Sequence, residues 1–89
     1  ISLSDCVIYS TCEPCPMCFS ACHWAGIQKI YFGVFIRDAK KAGFNELSIS
    51  AQQMKSLGKS PVKVFGGLLR QENTVFMNTW ASLKDKKIY

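Results

Sequence analysis

The chain reads as an α/β domain on a mostly parallel central sheet, with elements in the order β-α-β-α-β-α. Three observations carry this expectation. Two apolar, β-favouring runs, residues 6–10 and 29–36, flank a stretch of helix length that Gly26 closes. The second of these runs is almost continuously hydrophobic, the pattern of a strand covered on both faces. A strand-like run after Pro61 then gives way to Phe76, Trp80 and Leu83 at helical spacing.

Taken in order, residues 6–10 (Cys-Val-Ile-Tyr-Ser) form a short buried strand bounded by Asp5 and the Thr-Cys-Glu-Pro turn. Residues 15–25 hold Met, Phe, Ala and Trp with no breaker past the first turn, so a helix is expected with Gly26 as its C-terminal glycine. A strand over 29–36 so soon after that helix implies a βαβ unit and a parallel pair. Residues 37–44 are polar with a break at Gly43 and read as a short helix or irregular loop. Ser50-Ala51-Gln52-Gln53 has the form of a capping box, and Gly58 follows the last periodic residue Leu57, which bounds a helix of about two turns. Residues 62–65 are the third strand; Gly66-Gly67 loosens the chain before a longer amphipathic helix over 69–83.

Size and composition narrow the function. At 89 residues and 48% hydrophobic, the chain buries one modest core and has no length for a second domain. No apolar run approaches the roughly 18 residues a membrane span requires, and the N-terminus lacks the features of a secretory signal. A cytoplasmic protein is expected. An N-terminus without Met that falls almost directly into an apolar run points to residues preceding Ile1. The net charge of +5 is carried by lysines spread from Lys40-Lys41 through Lys55, Lys59 and Lys63 to the closing 84–87 stretch. Such scatter describes solvated surface rather than a nucleic-acid stripe, and leaves a small neutral or anionic substrate compatible.

The chemistry concentrates in Thr11-Cys12-Glu13-Pro14-Cys15-Pro16-Met17-Cys18. All 5 cysteines, Cys6, Cys12, Cys15, Cys18 and Cys22, fall in the first quarter of the chain, an odd and clustered set that makes a poor disulfide framework. Cys15 and Cys18 lie at i and i+3 at a helix start, with Pro14 setting the entry and Pro16 tolerated in the first turn. Their thiols point the same way, and the unpaired amides there favour the thiolate that binds metal. Zinc prefers four tetrahedral ligands, so this pair is half a site. A closed four-cysteine centre drawing on Cys12, Cys22 and Cys6, and a redox Cys-x-x-Cys, stand beside it as alternatives. The one histidine, His23, is followed by Trp24 and Ala25, so the sequence holds no His-x-Glu. Five helical steps set His23 about 140° from Cys18, a core or surface position rather than a ligand one. Glu13, in the turn before Pro14, reads as a structural hydrogen-bonding residue, and Cys22 as a small packed one.

That octapeptide resembles the second signature of the cytidine deaminase-like superfamily of zinc hydrolases, in which His-x-Glu is followed by Pro-Cys-x-x-Cys. The likeness covers nearly all 89 residues, as the second, C-terminal half of a single three-layer α/β/α deaminase domain. It implies Cys15 and Cys18 as Zn2+ ligands, with the remaining ligand and the proton-shuttling glutamate on a helix preceding Ile1; alone, the 89 residues would be inactive. Asp38-Ala39-Lys40-Lys41-Ala42-Gly43-Phe44-Asn45-Glu46 is similar to a segment of bacterial guanine deaminases, whose chains also end in a tyrosine, as Tyr89 does here. The resemblance thus implies hydrolysis of guanine to xanthine and ammonia, with Glu46 binding substrate and moving protons. A carboxylate suits guanine's adjacent N1–H and 2-amino donors. It also implies a homodimer whose exchanged C-terminal segment places Tyr89 in the pocket, and Trp24 as a pocket-closing residue. Helical spacing alone puts Trp24 about 180° from Cys15, a core position. Adenosine deamination in tRNA, and a non-catalytic zinc-stabilised interaction module, are the other readings.

Overall fold

A computed structural model describes residues 2–83, with three strands and four helices: β1 (Val7–Cys12), α1 (Pro16–Ala25), β2 (Lys29–Val34), α2 (Ile36–Lys41), α3 (Ala51–Gly58), β3 (Lys63–Phe65) and α4 (Arg70–Ala81). The strands form one parallel sheet in the order β1-β2-β3, with Ile8 opposite Ile30 and Ile30 opposite Val64. The expected α/β class and parallel sheet are therefore present. No helix among the described residues is long and apolar enough to cross a membrane.

The core lies on one face of this sheet. Ile30 and Phe32 of β2 pack with Phe19 and Cys22 of α1, Ala51 of α3, and Ile27 and Val62 from the connections. Alternation explains the choice of face: Ile8, Ile30 and Val64 point to α1 and α3, whereas Tyr9, Tyr31 and Phe65 stack in a ladder on the other side, with ring centroids 5.0 and 4.9 Å apart. There α4 crosses β2 where Gly33 removes any side chain. A Cβ at Gly33 would lie 2.7 Å from the Thr11 carbonyl oxygen and run into the Asn73 amide. Helices on both sides of the sheet agree with the layering expected.

Several boundaries depart from the sequence reading. β1 runs on through Thr11 and Cys12, because Glu13 N–H still pairs with Val34 O at 2.9 Å, so the turn is confined to residues around Pro14. Gly26 takes the left-handed conformation (φ 78°) as expected, but after α3 that conformation falls on Lys59 (φ 53°) rather than Gly58, which stays helical. Ser50 caps α3 as its box predicts, its Oγ accepting from Gln53 N–H at 3.0 Å while Gln53 Oε1 accepts from Ser50 N–H at 2.9 Å. The largest difference concerns α4, none of whose residues is buried. Trp80 is half-buried on the Phe44 ring at 4.7 Å, but Phe76 is 75% exposed, because β2 and Phe44 cover only part of the helix's apolar stripe. Likewise Lys29 and Tyr31 of β2 are only half-covered, whereas Phe32 to Val34 are buried.

One carboxylate ties α2 to α4. Asp38 accepts from Phe35 N–H at 2.8 Å and receives the Arg70 fork, Nη2 to Oδ1 at 2.8 Å and Nε to Oδ2 at 3.1 Å. The Arg70 guanidinium holds the Asp38 carboxyl below the usual carboxylate range. A depressed folded-state pKa means that this contribution is complete at neutral pH and is lost as pH falls from about 4 through the folded value. Asp38→Asn keeps an acceptor for Phe35 N–H but removes the charge that faces the helix start and Arg70, and is expected to cost about 1 kcal/mol at pH 7, since a half-exposed Arg70 is screened by water. Thermal melts should show a variant about 5 °C lower at pH 7 whose deficit closes as the pH is lowered past 4.

Candidate functional site

The first turn of α1 presents two sulfur atoms to an open cleft. Cys15 is the residue before the helix (ψ 170°) and Pro16 opens it, so the backbone leaves the β1 turn extended and enters the helix where proline needs no donor. The amide of Cys18 points at the Cys15 sulfur and holds that thiol below its ordinary pKa; the Cys18 S–H and the Met17 amide add to the effect. Donation to Cys15 is also the first reason that the Cys18 thiol sits above its ordinary value, with burial and the Cys15 charge next. Burial alone raises Cys22, which is packed in the core as a small apolar residue, as its sequence position suggested.

The cleft in front of these thiols, roughly 350 Å³, is lined by residues of three segments: Ser10 and Cys12 at the end of β1, Cys15 and Cys18 of the α1 turn, and Glu46 from the loop between α2 and α3. Glu46 lies close enough that its charge raises both thiols. The fold therefore brings Cys15, Cys18 and Glu46 together. It leaves Trp24 elsewhere: 82% exposed, outside the core, its ring edge-on to His23 at 5.7 Å and lining a separate depression with Phe19, Met54 and Ser60. His23 itself pairs through Nδ1 with Ser60 Oγ at 2.7 Å, away from the thiols, as helical spacing predicts. Tyr89 and the lysine-rich 84–87 stretch lie outside the described residues.

Among the described residues no three His, Cys, Asp or Glu side chains gather as a metal site. Two convergent thiols, one already biased to thiolate by helix amides, fit zinc as two of its four ligands. What the spacing did not reveal is how Glu13 is used. It is buried at 8% exposure, and its oxygens accept from two different helices: Oε1 from Ile36 N–H at 2.8 Å and Oε2 from Ala51 N–H at 2.6 Å. Structural hydrogen bonding was expected; the identity of the partners has no local sequence signal. A second apolar groove, about 200 Å³, runs from Thr11 and Cys12 past Val34 to Phe44, Phe76 and Trp80, and shares Cys12 with the thiol cleft.

Comparison with known proteins gives this geometry a context. The family described as the cytidine and deoxycytidylate deaminase zinc-binding region matches residues 1–34, which include both thiols. The chain is 31% identical over 87 residues to the guanine deaminase of Bacillus subtilis (strain 168), covering 98% of this chain and 55% of that protein. It is also 31% identical over 75 residues to the protein named "Probable cytosine deaminase" of Schizosaccharomyces pombe, covering 46% of it. The chain thus spans about half the length of the curated relatives it matches. Among solved structures, a guanine deaminase from Nitrosomonas europaea superposes with a TM-score of 0.70 at 27% identity, over 82% of this chain and 40% of that one. A further solved chain, in complex with 2,6-diaminopurine, matches at 0.71 and 28%, over 89% and 41%. The fold matches part of the guanine deaminase fold.

Proposed function

We propose that the chain, whose residues 1–34 match the cytidine and deoxycytidylate deaminase zinc-binding region, forms the thiolate half of a hydrolytic nucleobase deaminase acting on guanine. The observation that carries this reading is the meeting of Glu46 with Cys15 and Cys18 in one cleft, from separate segments of the fold. The relatives support the choice of base, as a guanine deaminase and a solved chain holding a diaminopurine are both among them. The reaction is guanine and water to xanthine and ammonia.

Zinc, when bound, supplies the Lewis acid that activates water, and needs ligands beyond this pair. Cys15 and Cys18 would hold it, and the third ligand and a proton-shuttling glutamate would come from a His-x-Glu segment outside the 89 residues, in the other half of the same domain. Glu46 accepts the adjacent N1–H and 2-amino donors of guanine and takes part in moving protons to the departing nitrogen. The apolar walls at Ile8 and Pro14 give the flat base a partly dry surface. Tyr89 enters as a pocket-closing residue of a homodimer that exchanges C-terminal segments; Trp24, which lines a separate depression, does not close the thiol cleft of its own chain. The protein is cytoplasmic in this reading.

Glu46→Gln in the intact, zinc-loaded protein is expected to lower guanine turnover by on the order of 10²–10⁴-fold with zinc content unchanged. Assaying ammonia release from guanine, cytosine, adenine and a tRNA anticodon stem-loop checks both residue and substrate. An unchanged guanine rate removes the role given to Glu46, and turnover of adenosine in the stem-loop alone makes the protein a tRNA deaminase. Zinc binding without turnover of any of the four would make it an interaction module.

A further inference from the structure

We propose that Glu13 is the positioning residue for Glu46, a proposal that rests on the deaminase reading above. Glu13 is one residue from the proline that leads into Cys15, and its main chain is fixed to β2 through the 2.9 Å bond from its N–H to Val34 O. Its side chain reaches into the protein and divides its two oxygens between the first residue of α2, Ile36, and the first residue of α3, Ala51. These helices bracket residues 42–50, the segment that carries Glu46. One end of that segment is tied back by Phe44 N–H to Ala39 O at 3.1 Å, and further along Lys40 Nζ donates to Ser48 Oγ. Glu13 is thus the side chain that joins the thiol turn to both helices flanking the Glu46 loop.

Stability is one part of this arrangement: the carboxylate gives up its hydration but satisfies two buried helix-start amides that an apolar side chain would strand. What a carboxylate adds is register. Its two oxygens hold two separate amides at fixed distances from the turn that carries Cys15 and Cys18, so one rigid group ties that turn to both ends of the segment that carries Glu46. An acid that must meet donors on a base while thiols hold a metal beside it tolerates little displacement, since a shift of about 1 Å costs a catalytic site on the order of 100-fold.

The test is a double-mutant cycle in the intact zinc-loaded protein: Glu13→Gln, Glu46→Gln and the pair, with guanine kcat/KM normalised to folded, zinc-containing molecules. Glu13→Gln should lower kcat/KM at least tenfold, and the double variant should lose no more than Glu46→Gln alone. Additive losses, or a Glu13→Gln rate per folded molecule equal to wild type, overturn the proposal. Glu13→Asp keeps the charge but cannot span both amides, and replaces the Gln variant if that does not fold. Amide hydrogen exchange supplies a readout independent of turnover. In the Gln or Asp variant, exchange should quicken at Ile36, Ala51 and through residues 42–50 while the amides of β2 keep their protection. Uniform quickening, or none in 42–50, overturns the positioning role. If the wild-type protein deaminates no base, the deaminase reading fails by that result, and hydrogen exchange alone decides whether Glu13 holds the Glu46 loop.

Discussion

Glu13→Ala should lower the stability of the folded chain by about 4 kcal/mol, the largest effect of any single polar substitution in the core. The substitution strands two buried donors at once. Ile36 N–H and Ala51 N–H have the Glu13 oxygens as acceptors at 2.8 and 2.6 Å, and an alanine methyl offers them nothing. Hydrogen bonds to a charged acceptor contribute about 1.5–3 kcal/mol each, and a buried donor left alone costs a similar amount. Both amides also begin helices, where no carbonyl of the helix can replace the lost acceptor. Glu13→Gln keeps one carbonyl oxygen and should lose about half as much. Urea unfolding followed by circular dichroism checks both values; a loss below about 1 kcal/mol for Glu13→Ala would mean that water replaces the carboxylate and that the site is open.

The second large effect concerns metal. Cys15→Ser and Cys18→Ser should each weaken zinc binding by at least about a hundredfold, because a neutral hydroxyl is a poor substitute for a thiolate and each sulfur is one of only two ligands on this side. Competition against a chromophoric chelator measures it. Cys22→Ser is the informative companion. Its thiol is buried in the core, where desolvation keeps it protonated, so zinc affinity should stay within about twofold of wild type while the melting temperature falls. Equal losses of zinc for Cys22→Ser and Cys18→Ser would instead indicate a cluster of cysteines around the metal.

Local signals decided how far the fold was legible. The βαβ unit follows from two apolar runs and a glycine that takes φ 78° at the end of α1, and the start of α3 follows from a capping box whose two bonds both form. These features depend on neighbours within a few residues. The placement of α4 does not. Helical spacing of Phe76, Trp80 and Leu83 shows an apolar stripe but cannot show that β2 and Phe44 cover only a portion of it. The fork between Asp38 and Arg70 joins residues 32 positions apart and has no pattern to announce it.

The site divides along the same line. Cys15 and Cys18 were readable because their chemistry is a spacing on one helical turn. Glu46 was reached through a family likeness, and its place in the thiol cleft is a product of the α2–α3 connection rather than of any periodicity. Trp24 shows the opposite: helical geometry put it far from the thiols, where it is, but the core position read from that spacing is overturned, since the ring is 82% exposed and α1 buries only Phe19 and Cys22.

Ammonia release from guanine by the intact zinc-loaded protein, measured beside Cys18→Ser, tests the whole most directly. A zinc deaminase built on this thiol pair releases one ammonia per xanthine in the wild type and none above background in the variant. Guanine left intact by zinc-loaded wild-type protein, or turnover that survives Cys18→Ser undiminished, would contradict it.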